Sequence, residues 1–162
     1  IYYMNIIDIP LKNLYGKVVC KYNIGDESYG KYPKIGWIGQ NGKRITKKDV
    51  KYKIITLDES PQYEFLCNHM DYYKEYMNTN GWVSGYGKER KNAVSNFKNL
   101  INNFDESKMT QIDCVIEKNK YVLVDGLHRC SIMYYNNKEK IVKVNIIKCK
   151  DFISLPLSCE KI

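Results

Sequence analysis

Short apolar and β-branched runs at residues 2–9, 17–22 and 51–57 predict strands in the first third of the chain. Gly25, Gly30, Gly36, Gly39 and Gly42 punctuate the stretch between them. Asn41-Gly42 is a hairpin signal between Trp37-Ile38 and Arg44-Ile45. At Ser60 the period changes. Serine caps a helix start and Pro61 suits its first position. Tyr63, Leu66, Met70, Tyr73 and Met77 then recur at helical spacing, which predicts one helix with a single apolar face and a structural His69 in its middle. A loop over 78–87 holds Gly81, Gly85 and Gly87. A second helix over 91–103 carries the stripe Ala93, Val94, Phe97, Leu100, Ile101 and Phe104. A hairpin follows, with strands at 111–116 and 121–125 around a turn at 117–120. The pattern then gives a helix over 127–136 and a last strand over 141–147. No internal repeat is present.

Composition adds bounds to this pattern. The chain has 162 residues, 44% of them hydrophobic, enough for one cored domain or one domain with an appended subdomain. Fifteen tyrosines place part of that apolar share at the surface. The net charge of +8 suits nucleic acid, a nucleotide, an anionic sugar or an anionic membrane surface. The basic residues are nevertheless dispersed, with local concentrations only at Lys43-Arg44, Lys47-Lys48 and 88–91, as on a solvated lysine face. Cys20, Cys67, Cys114, Cys130, Cys149 and Cys159 show neither C-x-x-C nor zinc-finger spacing. No signal peptide or membrane span is visible. Reduced, buried thiols in a cytoplasmic protein are therefore expected.

The stretch most informative about function is 122–131. A β-rich run, Val122-Leu123-Val124, ends in Asp125-Gly126, and His128-Arg129 opens the next helix. Backbone N–H groups at a helix start lack intrahelical partners, and the helix dipole favours an anion there. Arg129 adds a planar fork suited to phosphate oxygens. Gly126 allows a positive φ or a close phosphate approach. Asp125 reads equally as a turn or capping residue, or as a holder of His128, Arg129 or a metal. Arg129 has an ion pair with Asp125 or Glu89 as its plain alternative. Ser131 either donates to a phosphate one turn in or is simply solvated.

Asp125-Gly126-Leu127-His128-Arg129 resembles the Asp-Gly-x-His-Arg signature of the ParB/sulfiredoxin superfamily, and the order helix, strand, strand, helix, strand over 90–148 resembles its core. The resemblance implies an α+β fold: a small mixed sheet with packed helices in 59–162, preceded by a β-rich extension in 1–58. Sulfiredoxin chemistry needs a cysteine where Leu127 stands. Cys130, on the first turn beside Arg129, would need a lowered pKa to replace it, and a small buried helix residue is the preferred account. The short tail after Ile147 leaves no room for the helix-turn-helix domain of a partition protein, so that branch is not expected.

The small-molecule kinase branch, which includes the free serine kinases, fits best. It implies a nucleotide, ATP or ADP, with Mg²⁺ held mainly by the nucleotide phosphates, because no aspartate-rich metal motif is present. Leu127, His128 and Arg129 would hold phosphates together with Gly126 and Ser131. In Tyr86-Gly87-Lys88-Glu89-Arg90, Glu89 would be the base for an acceptor hydroxyl, while Lys88 and Arg90 neutralise phosphate charge. Asp125 and His128 would assist at the reacting end. Trp82 and Tyr86 either stack on a base or sugar or anchor a lid. The expected activity is phosphoryl transfer to a small hydroxyl-bearing metabolite or sugar. The alternatives are a ParB-like nucleic-acid-binding protein or nuclease, and a degenerate nucleotide-binding interaction module.

Overall fold

The computed structural model describes residues 5–21, 25, 29–39, 41–77, 92–109 and 111–148. Six strands form one mixed sheet: β1 (Asn5–Pro10), β2 (Leu14–Val19), β3 (Tyr52–Thr56), β4 (Ile112–Glu117), β5 (Lys120–Leu123) and β6 (Ile141–Ile146). Their order across the sheet is β1-β6-β4-β5-β2-β3. The neighbours β2/β5 and β4/β6 run parallel, and the other three pairs are antiparallel. Four helices accompany the sheet among the described residues: α1 (Pro61–Leu66), α2 (Met70–Tyr76), α3 (Ala93–Asn102) and α4 (Leu127–Asn136). The α+β class is as expected. No helix among the described residues is long and apolar enough to cross a membrane.

The division at residue 58 does not survive in the sheet. β1 seals one edge against β6, while β2 lies between β5 and β3. Leu11 and Leu14 are buried in the same cluster as Cys114, Cys130, Met133 and Val144. The first three strands thus belong to the same sheet as the later ones, and residues 9–14 share an apolar cluster with α4.

Local chemistry explains the boundaries. Ser60 Oγ accepts from Tyr63 N–H at 3.0 Å and Pro61 holds the first position of α1. The helix expected to continue to Met77 stops at Cys67. Asn68 takes the left-handed conformation at φ 66°, His69 N–H donates to Glu64 O at 2.9 Å and Asn68 N–H donates to Phe65 O at 3.1 Å. That pair of bonds is a Schellman C-cap with asparagine in the glycine position. His69 is consequently not mid-helix: it is the N-cap residue of α2, exposed, with Nδ1 3.1 Å from Glu64. The β4–β5 hairpin turns through Lys118 and Asn119 at φ 51° and 61°, the positive pair that matches strand twist. Around Asn41-Gly42 the chain forms a minimal hairpin, with Ile38 bridging Arg44.

Three apolar clusters hold the elements together. One lies between the sheet and α4. A second gathers Val18, Val19 and Ile55 with Trp37, Ile45, Val50 and Tyr76. The third joins Phe65 of α1, Tyr73 of α2, Phe97 of α3 and Ile132 of α4. The expectation of uniformly reduced thiols is corrected at one position: Cys20 is disulfide-bonded, with its partner outside the described residues, whereas Cys67, Cys114 and Cys130 are free.

Candidate functional site

Strand β5 ends at Leu123, and Val124 N–H still donates to Asp113 O of β4 at 3.0 Å. The chain then turns. Asp125 Oδ1 accepts from Gly126 N–H at 2.7 Å, which holds the turn. Gly126 sits at φ 92°, ψ 18° as the N-cap residue of α4, with no side chain capping the helix. A Cβ at Gly126 would meet nothing within 4 Å, so the backbone angle and not lack of space calls for glycine there.

Helix α3 presents the same kind of start. Its N-cap Asn92 makes no side-chain capping bond, and neither α3 nor α4 has an acidic residue in its first turn. Ala93 and Asn96 from α3 and Gly126, His128 and Arg129 from α4 line one cleft of about 490 Å³. The first turn of α4 thus opens on this space with its positive end, while α3 lines it along one flank through Ala93, Asn96, Phe97 and Leu100. At the C-terminal end of α2, Lys34 Nζ donates to Tyr76 O at 3.2 Å and lies 4.0 Å from the Tyr76 ring centroid. That ammonium offsets the negative end of α2 close to Met77, another cleft residue.

Arg129 is exposed on the rim and has neither a hydrogen bond nor an ion pair with any described residue. The ion pair with Asp125 considered from the sequence is not formed. His128 is half-buried and held. Its Nε2 lies 3.1 Å from the Tyr73 hydroxyl, which also reaches Ala93 O at 3.4 Å. Its ring meets Phe97 edge-on at 4.8 Å and Tyr73 at 5.8 Å between centroids. When Tyr73 donates to Ala93 O, it accepts from Nε2–H of His128. The start of α3, the middle of α2 and the first turn of α4 are then joined by one polar chain. The remaining wall is apolar: Met77, Leu100, Phe97 and Ala93.

The motif residues therefore divide. Asp125, Gly126, His128 and Arg129 share the cleft. Leu127 does not line it; its side chain packs against both the sheet cluster and the Trp37 cluster. Ser131 is corrected: it is fully buried, 3.2 Å from Ser60 Oγ, on the face of α4 turned toward α1. It is neither solvated nor able to reach a phosphate at the helix start. Cys130 is also fully buried, and burial pushes its thiol up to about 12, the opposite of an activated thiolate. Lys88, Glu89, Arg90, Trp82 and Tyr86 lie outside the described residues. Tyr73, Asn96 and Leu100 are cleft residues that sequence reasoning assigned no functional role. Tyr73 and Leu100 stood in apolar stripes, and nothing in the pattern distinguishes a stripe tyrosine that bonds a histidine. Among the described residues no group of three or more histidine, cysteine, aspartate or glutamate side chains is placed to hold a metal.

Compared with known proteins, the chain matches no family model, no curated protein and no solved structure.

Proposed function

We propose that the protein is a nucleotide-dependent phosphotransferase that binds nucleotide phosphates at the start of α4 and passes a phosphoryl group to a small hydroxyl-bearing acceptor. One observation carries this: the uncapped start of α4, without a first-turn acid, opens on a cleft walled by the flank of α3, with an arginine on its rim that has no partner among the described residues. Such a space stabilises an anion before any ligand-specific contact is made. Arg129 supplies bidentate donors, and His128 a further one from Nδ1–H in the tautomer whose Nε2 accepts from the Tyr73 hydroxyl, while Met77 and Leu100 offer an apolar wall for a base or sugar. Asp125, on the same cleft, is the described carboxylate that can approach a Mg²⁺ carried by the phosphates.

In the transfer, the acceptor oxygen attacks the terminal phosphorus and the bond to the leaving nucleoside phosphate breaks. Glu89 takes the hydroxyl proton. Glu89 and Arg90 precede α3 in sequence, and the first residue of α3, Ala93, lines the cleft. Positioning and charge stabilisation supply most of the rate in such reactions.

The test is a thermal-shift screen with ATP, ADP, CTP and GTP, each with Mg²⁺. At a hundred times Kd a ligand stabilises by about 2.7 kcal/mol. For a chain of this length that raises the melting temperature by roughly 5–10 °C. No shift at millimolar nucleotide ends the proposal. A steep salt dependence for oligonucleotides with no nucleotide effect supports the nucleic-acid alternative instead. If Glu89→Gln retains transfer, the base lies elsewhere.

A further inference from the structure

Gly16 sits inside β2, where glycine weakens a strand and contributes no packing. Its φ is not in the left-handed region, so conformational freedom does not account for it. Space does. A Cβ at Gly16 would lie 2.8 Å from Leu127 Cδ1, 3.1 Å from Cδ2 and 3.5 Å from Cγ. Carbon atoms in contact prefer about 3.5–4.0 Å, so relief requires a shift approaching 1 Å. Leu127 has little freedom to make it by a rotamer change, because it is wedged between the sheet cluster and the Trp37 cluster. It is also the first residue of α4, directly after Gly126.

Topology makes this contact specific. β2 and β5 run parallel through Leu14↔Tyr121 and Tyr15↔Val122. Gly16 is thus the next step along β2, level with the end of β5, beneath the turn that leads into α4. The bare backbone there lets Leu127 seat on the sheet.

We propose that Gly16 is a positioning residue of the anion site: its missing side chain sets the height of the α4 start over the sheet, and so places the amides of 126–129 and the Arg129 side chain against a bound phosphate. The inference rests on the phosphate assignment above for its binding arm only. Hydrogen bonds of 2.7–3.2 Å do not tolerate a displacement near 1 Å, so a side chain at this position weakens phosphate binding.

The experiment compares wild type with Gly16→Ala, Leu127→Ala and the double variant. Two readouts are taken: affinity for ATP with Mg²⁺ by calorimetry, and the backbone amide resonances of residues 126–129. Gly16→Ala is expected to lower affinity about tenfold or more, or to fail to fold, and to shift those resonances. The double variant, in which the space is returned, is expected to recover affinity and resonances toward those of Leu127→Ala alone. A strand glycine with no such role predicts the reverse: Gly16→Ala binds as wild type, since alanine is the better strand residue. Unchanged affinity and resonances in Gly16→Ala, or a double variant no better than Gly16→Ala, overturns the proposal. If wild type binds no nucleotide, the phosphotransferase reading fails, and the resonance arm still decides whether Gly16 sets the helix start.

Discussion

Replacing Tyr73 by phenylalanine isolates one atom of the site. The Tyr73 side chain is 1% exposed, and its ring lies 5.0 Å from that of Phe65 and 5.1 Å from that of Phe97. Phenylalanine keeps those ring contacts and deletes only the hydroxyl. The 3.4 Å approach to Ala93 O is long and contributes little, whereas the 3.1 Å bond to His128 Nε2 is an ordinary one. A net hydrogen bond is worth about 0.5–1.5 kcal/mol, and leaving a half-buried ring nitrogen with one partner fewer adds to that. The loss should total about 1–2 kcal/mol, seen as a fall of roughly 3–7 °C in melting temperature. Tyr73→Ala, which also empties the ring's space, should cost about 3–5 kcal/mol. The functional readout is separate. With the Tyr73 hydroxyl gone, the His128 ring is held less firmly, and affinity for ATP with Mg²⁺ should fall several-fold by calorimetry on the folded protein. A Tyr73→Phe protein as stable as wild type refutes the hydrogen-bond assignment. One that is less stable but binds nucleotide unchanged shows that the hydroxyl serves the core alone and has no part in holding His128 for the ligand.

Arg129 predicts the opposite separation. Because it is exposed and unpaired among the described residues, Arg129→Ala should change stability by less than about 0.5 kcal/mol. It should weaken nucleotide binding by about 10- to 100-fold, the loss of one or more charge-assisted bonds, with Arg129→Lys intermediate. Equal affinities in a titration of Arg129→Ala and wild type would sink the phosphate assignment. The free thiols give a pH prediction. Burial pushes both Cys114 and Cys130 from the ordinary 9.0 up to about 12. Folding therefore favours the neutral thiols, a contribution fully present below pH 9 and lost as pH rises from there toward 12. The melting temperature should decline across that window. At pH 8 iodoacetamide should label Cys67, which is partly exposed, well before Cys114 or Cys130. Mass spectrometry showing equal labelling of all three would contradict the burial.

What the sequence revealed and what it hid differ by the range of the interaction involved. Helix α4 spans the residues its pattern predicted, because Gly126 before it and the change at Asn137 after it are local signals. The β4–β5 hairpin was legible for the same reason. The break at Asn68 carried a local signal too, but asparagine tolerates the left-handed conformation far less obviously than glycine, and the apolar spacing ran on across it. Gly16 is harder still. Locally it reads as a weak point in a strand, and β2 in fact begins before it, at Leu14. Its reason lies in Leu127, far along the chain, and appears only once β2 runs beside β5. Leu127 itself was informative from sequence for the thiol it lacks and for its backbone amide. The structure adds a third role, that of a wedge between two clusters. Tyr73 belongs to the same class: periodicity correctly placed it inside, and only packing could show that its hydroxyl meets His128. The motif marked four residues that share one cleft, Asp125, Gly126, His128 and Arg129. The residues that hold the motif at its height and hold its histidine in place come from β2 and α2, outside any pattern the motif itself contains.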